Sequence, residues 1–214
     1  MTQLILTVYI AILFFATLVG LFRYSSLDKA TRLLVWYICF TFLTETAGMI
    51  IAVFYKHHNA FLYHFYSVLQ FSLITLYFNF SEERKTVNKA GWIIAIAGVV
   101  ACILNTVFLQ PLSELNTYFI VLESFLIIGM ALIAFYRLLI SDELAIFSQP
   151  RFWFSAIFLV FWSFTFFYWL VGAAIYKAMP EKAPWLNLMI WLINIVTYAA
   201  VGGVFLSHKK MRPA

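Results

Sequence analysis

Charge is what this sequence has least of. Of 214 residues, 11% are Asp, Glu, Lys or Arg and 64% are hydrophobic, whereas soluble domains carry about 25% charged residues. That shortage excludes an ordinary soluble enzyme or binding domain, and it leaves apolar surface that must face lipid. Cysteine is almost absent as well. Cys39 and Cys102 both sit in apolar runs, and the topology below sends them toward opposite sides, so they are read as small packing residues and not as a disulfide. Proline is missing from every apolar run: Pro111, Pro150, Pro180, Pro184 and Pro213 all fall between or beyond them, which leaves each run free to form one uninterrupted helix. There is no Gly-x-Ser-x-Gly elbow, no paired aspartates and no Gly-rich phosphate loop, so the common catalytic templates find no footing.

What the sequence does have is a series of apolar runs close to the roughly 20 residues a helix needs to cross a bilayer. They cover 4–22, 33–54, 61–80, 90–108, 118–139, 152–176 and 185–206. The third, "FLYHFYSVLQFSLITLYFNF", is the most polar. The N-terminal "MTQLILTVYI" has no basic stretch ahead of its apolar run and no small-residue cleavage signal after it, so it is expected to be a retained first helix. The whole chain, 1–214, is expected to form a single domain: an all-α integral membrane protein, a seven-transmembrane-helix bundle.

The basic residues give this bundle a direction. Of the 14 Lys and Arg, 11 lie on the side reached after runs one, three, five and seven (Arg23, Lys29, Arg32; Arg84, Lys85, Lys89; Arg137, at the inner end of run five, and Arg151; Lys209, Lys210, Arg212), and only Lys56, Lys177 and Lys182 lie on the other side. Positive charge accumulates on cytoplasmic loops, so the N-terminus is expected outside and the C-terminus in the cytoplasm, in the cell membrane. The net charge of +5 is therefore topological. No loop is long enough to carry the exposed basic face that nucleic acid requires.

Counting at 1.5 Å per residue places Glu45 and Gln70 roughly 13 Å below the outer boundary, near the middle of a core about 30 Å thick. Asn194 reaches the same level. His64, Asn105, Glu123 and Asn187 lie above them, and the inner half is mostly aliphatic. The polar residues also line up. Asn187, Trp191, Asn194 and Tyr198 follow i, i+4, i+7, i+11; Tyr63, Ser67, Gln70, Ile74 and Tyr77 do the same in run three; Trp162, Thr165 and Trp169 share a face of run six. Polar groups inside a membrane are costly when they face lipid, so these stripes are expected to face inward. Asn187, Asn194 and Gln70 equally suit hydrogen bonds that tie helices together. Glu45 and Glu123 stand apart, because a buried carboxyl is expensive and usually functional.

A retinal photoreceptor requires a lysine in its last helix for the Schiff base, and 185–206 contains none. A zinc hydrolase needs three or four ligands at one depth. His57, His58 and His64 match no such spacing, and His208 is at the opposite side. Small transporters of the PQ-loop type share the topology, but the prolines they carry inside helices are missing here, where Gln110-Pro111 and Gln149-Pro150 are loop dipeptides. A weak repeat links "NAFLYHFYSVL" from Asn59 to "NTYFIVLESFL" from Asn116.

The expected function is a sensory or receptor-like module with no catalytic residues, metal or cofactor. It binds a small, largely apolar or amphipathic ligand in an outer-half intramembrane pocket and signals through a membrane or cytoplasmic protein partner, because the tail "SHKKMRPA" is too short to signal. Glu45, Gln70, Glu123, Asn194, Asn187 and His64 would orient the ligand's polar end, and Trp162, Trp169, Trp191 and Tyr198 would line its apolar body. A small-solute transporter and an assembly partner that binds only membrane lipid are the competing expectations.

Overall fold

The computed structural model describes residues 2–56, 58–81, 85–140 and 146–211, and among these every regular element is helical. Seven helices are long and apolar enough to cross a membrane: α1 (Thr2–Arg23), α2 (Lys29–Ile50), α3 (Ala60–Phe80), α4 (Lys85–Leu104), α5 (Thr117–Ile140), α6 (Pro150–Ala178) and α7 (Ala183–Met211). Five of the apolar runs fall within one of them, and the runs 33–54 and 90–108 continue past α2 and α4 into the helical turns Ile51–Tyr55 and Asn105–Leu109. The helices overshoot the runs by a few polar residues, because backbone hydrogen bonding continues past the hydrocarbon limit as far as a stop signal.

Those signals are local. Asp28 caps α2, accepting hydrogen bonds from the Thr31 backbone N–H at 2.8 Å and the Thr31 hydroxyl at 3.0 Å, which satisfies donors a helix start leaves open. Arg32 braces the turn before it, donating to the carbonyls of Tyr24, Leu27 and Ser25 while its guanidinium lies over the Tyr24 ring. Pro150 opens α6, and Pro184 sits in the first turn of α7, where a missing N–H costs nothing. One feature had no sequence signal. Both α2 and α4 end in a π turn, Ile51–Tyr55 and Asn105–Leu109. The first stops at Lys56, which adopts left-handed backbone with φ 53°.

The chain divides into two compact units: residues 24–123, and residues 1–23 with 124–214. In the first, α3 packs between α2 and α4. It is the least apolar of the seven and the most buried, a correlation with a direct cause, since a helix shielded from lipid can carry polar side chains. The α3–α4 contact depends on small residues. Gly91, Ala95, Gly98, Cys102 and Asn105 follow i, i+4, i+7, i+11, i+14 and are all buried. A methyl group on Gly91 would land on the Asn79 side chain, and one on Gly98 on the Phe71 ring. Only glycine lets the helices come this close.

In the second unit α7 packs against both α1 and α6. Gly202 meets Ala16 closely, a Cβ there lying 3.5 Å from the Ala16 Cα. Burial concentrates around Leu13, Ala16 and Thr17 of α1, Phe154, Phe158 and Trp162 of α6, and Tyr198, Val201 and Phe205 of α7. Toward the α6–α7 turn the same helices become exposed at Phe167, Leu170, Trp185 and Met189.

The two halves of the weak repeat share a local plan. In each, a π turn is followed by a short loop and an asparagine, Asn59 or Asn116, that starts the next helix: the N–H of Leu62 bonds Asn59 O, and that of Ile120 bonds Asn116 O. Both asparagines send their amide N–H across to a carbonyl on another helix, Gly48 O and Tyr63 O respectively.

Candidate functional site

The ends of α2, α3, α4 and α5 that meet at the two π turns form the polar part of the 24–123 unit. His64, in the first turns of α3, is buried with both ring nitrogens engaged: Nδ1 with the Thr106 hydroxyl at 2.7 Å and Nε2 with the carbonyl of Glu114 at 2.8 Å. Thr106 in turn donates to Cys102 O at 2.9 Å. One imidazole therefore fastens both the α4 π turn and the following loop to α3.

Asn116 lies at the start of α5 and is fully buried. Its amide nitrogen donates to Ser67 Oγ at 2.9 Å and to Tyr63 O at 3.4 Å, so the loop before α5 is stitched to the same face of α3. Gln110 closes the far side. Its Oε1 accepts from the Tyr118 backbone N–H at 2.9 Å and from Asn105 Nδ2 at 3.3 Å, and its Nε2 donates to the Thr117 hydroxyl at 2.7 Å. Cys102 ties these strands of the network together. Its thiol is buried and contacts His64 O at 3.7 Å.

Three oxygens of this unit have no hydrogen-bond partner among the described residues: Asn105 Oδ1, Asn116 Oδ1 and Glu123 Oε1. Their residues are 4%, 0% and 1% exposed. Buried polar atoms are overwhelmingly paired, so three unpaired oxygens in one unit need a reason. Nearby, Tyr63 hydrogen-bonds the half-buried carboxyl of Glu45. Thr41 and Tyr66 share a 2.7 Å hydrogen bond on the same helix pair, α2 and α3. Gln70 is buried on the face of α3 that carries Ser67, Ile74 and Tyr77. Among the described residues no three His, Cys, Asp or Glu side chains are grouped as metal ligands; His57 is outside the described residues.

Of the residues expected to hold a ligand, Glu45, His64, Gln70 and Glu123 thus belong to the 24–123 unit. Trp162, Trp169, Asn187, Trp191, Asn194 and Tyr198 belong to the other one. There, Tyr9 makes an edge contact with Trp191 (centroids 5.1 Å apart) and a tilted one with Tyr198 (5.9 Å), and Phe161 packs on Trp162. Asn194 donates to Ile190 O of its own helix at 2.9 Å, while Asn187 accepts from the Tyr168 hydroxyl at 3.1 Å and is exposed. The α7 stripe is therefore graded, open at Asn187 and buried at Tyr198. Trp162 is buried with its indole N–H unpartnered among the described residues, as is the Thr165 hydroxyl one turn on.

Sequence reasoning missed Asn116 and Gln110, which read as loop residues beyond the runs, and Thr106, which lies near the end of the fourth run. The available signal was the density of amide and hydroxyl side chains around "NTVFLQPLSELNT", more than a solvated turn requires. No protein-family profile matches the chain, and no curated protein or solved structure is significantly similar to it.

Proposed function

We propose that this chain is a seven-helix, receptor-like membrane module that binds a small amphipathic ligand and passes its signal to a partner protein. In the orientation set by the basic residues, N-terminus outside and C-terminus cytoplasmic in the cell membrane, the Asn105, Asn116 and Glu123 cluster lies in the outer half. The observation that carries the reading is this set of buried acceptors lacking protein partners. A helix bundle built only for assembly gains nothing from leaving them unpaired, since each costs free energy to bury. A ligand whose polar end supplies the missing donors, with its apolar body among the helices, removes that cost.

The test is to purify the protein from its native membrane in a mild detergent, extract it with solvent and identify retained small molecules by mass spectrometry. One amphiphile near one per chain, displaced on delipidation and rebinding on return, is the expected result. Reconstituted vesicles then separate the classes. Binding without solute flux fits a receptor, flux of the bound compound means a transporter, and bulk lipid alone means an assembly partner.

A further inference from the structure

The connection from α4 to α5 is inside out for a loop in water. Its amide side chains, Asn105, Gln110 and Asn116, are buried, while Phe108, Leu109, Leu112 and Leu115 are exposed, followed by Tyr118 at the start of α5. A solvated turn has the reverse pattern, and a contiguous exposed apolar patch marks a surface that something covers. The backbone is arranged in the same sense. The Glu114 carbonyl accepts from His64 Nε2, the Tyr118 N–H is taken by Gln110 Oε1, and the N–H groups of Glu114 and Thr117 bond Pro111 O and Leu115 O. Backbone that leaves water needs internal partners of this kind.

The same bonds fix the level of the loop. Glu114 and Asn116 are held against Tyr63, His64 and Ser67, all within the first two turns of α3. The returning half of the connection therefore runs beside α3 and does not project past its start. On that stretch of α3, Phe61 and Phe65 are exposed, in a helix long and apolar enough to cross a membrane. The patch is also continuous with an exposed side of α4. Ile93, Ile96, Val100, Ile103 and Val107 follow i, i+3, i+7, i+10, i+14 and are all exposed, and the apolar span that holds them runs through the π turn to Leu109. Leu112 and Leu115 carry exposed apolar surface on past the helix end. The only charge between Gln110 and Asn116 is Glu114, exposed beside Ser113, which sets the upper edge of the patch at headgroup level.

We propose that this connection is an interfacial tip, with Phe108, Leu109, Leu112 and Leu115 inserted at the boundary between lipid headgroups and acyl chains. Amphipathic helices that lie on membranes bury their apolar faces about 5–10 Å into that boundary, and a loop of the same polarity has the same reason to do so. The occupant is lipid and not a second protein surface, because the patch continues the exposed side of a span and has no polar group at its centre to select a partner. In the orientation set by the basic residues, the leaflet is the outer one. The inference concerns the surface of the 24–123 unit and holds with or without a bound ligand.

The experiment uses the full chain in phosphatidylcholine nanodiscs, in a Cys39→Ser background, with a nitroxide spin label placed at Leu112→Cys or Leu115→Cys. Ile96→Cys, within the exposed α4 stripe, gives the lipid reference, and His58→Cys, exposed in the turn before α3, gives the water reference. The background chain alone reports any label on Cys102. Collisions of each label with oxygen, which concentrates in lipid, are compared with collisions with a water-soluble nickel chelate. The labels at Leu112→Cys and Leu115→Cys are expected to resemble that at Ile96→Cys, with an oxygen-to-nickel ratio several-fold above that at His58→Cys. A ratio equal to that at His58→Cys puts the tip in water and overturns the proposal. Labels that are immobilised and shielded from both reagents overturn it too, since a protein surface would then cover the tip. If one labelled variant does not fold, the other decides, and Phe108→Cys supplies a third reading.

Discussion

The hydroxyl of Tyr63 hydrogen-bonds the carboxyl of Glu45, so a carboxyl on α2 is held in place from α3. One turn beyond Glu45, Gly48 O accepts from the Asn59 side chain at 3.1 Å, which pins the same helix pair a second time. Glu45 is only half-buried, and substitution there is expected to act on binding more than on folding. Glu45→Gln keeps a hydrogen-bonding partner for Tyr63 and should retain ligand at a modestly altered level. Glu45→Leu should fold but retain none, because a group orienting the polar end is gone. Mass spectrometry of the purified variants measures this. Unchanged retention in Glu45→Leu, together with higher thermal stability, would reduce Glu45 to a tolerated polar residue.

The α3–α4 contact makes a sharper stability prediction. Gly98 sits against the ring of Phe71, which is completely buried. A larger side chain has to displace a ring that has nowhere to go. Gly98→Leu is expected to destabilise by about 1–3 kcal/mol, the usual cost of overpacking. Phe71→Ala alone should cost about 3–5 kcal/mol as a cavity. Combined, the two substitutions fill and empty the same space, so the double variant should be markedly more stable than the sum predicts. Strict additivity in chemical or thermal unfolding would show that the helices do not meet at this point.

How much of this was legible follows from what each residue reports. Helix positions were, because lipid imposes a simple demand on composition and length, and runs such as 118–139 can satisfy it only as helices. The inward stripe of α3 was legible for a related reason: Ser67 and Gln70 cannot face lipid. The Gly91, Ala95, Gly98 stripe of α4 has the same periodicity but no polar side chains, so it hid inside an apolar run. The network around Asn116 and Gln110 was hidden differently. Its partners lie far apart along the chain, and nothing local tells a loop amide that bonds water from one that bonds Ser67. The π turns had no usable sequence signature, since Ile51–Tyr55 and Asn105–Leu109 share only Val-Phe at their third and fourth positions, an ordinary pair in an apolar run. In α7 the period was read correctly, but periodicity carries no depth, and the burial gradient from Asn187 to Tyr198 came from packing against α1 and α6.

His64 is expected to matter for local order. It is the buried link that holds Thr106 and the Glu114 carbonyl to α3. His64→Ala leaves both groups without their partner, at about 1–3 kcal/mol for each that stays buried. The damage should concentrate in 105–116. Hydrogen exchange followed by mass spectrometry should show faster exchange in that segment with little change in α2. His64→Gln, which can reach one of the two partners, should recover part of the protection. Uniformly faster exchange throughout the 24–123 unit would mean that the imidazole supports the whole core and not one loop.

The orientation is open to direct test. Arg23, at the end of α1, donates to Leu206 O at 3.1 Å, so the first helix ends beside the last turns of α7, where the basic tail begins. The α1–α2 turn and the tail therefore share a side, and their six basic residues, Arg23, Lys29, Arg32, Lys209, Lys210 and Arg212, act together in the charge rule. A C-terminal fluorescent protein that folds only in the cytoplasm should be bright, and alkaline phosphatase at the same position should be inactive. Reporters fused after residue 113, between α4 and α5, should give the opposite pattern. The charge argument also predicts a response to mutation. Replacing the tail cations with Gln should weaken the bias without inverting it, because eight basic residues remain on that side. A phosphatase active at the C-terminus of the wild-type chain would invert the topology, and it would move the Asn105, Asn116 and Glu123 cluster to the cytoplasmic half, where any ligand would have to arrive from inside.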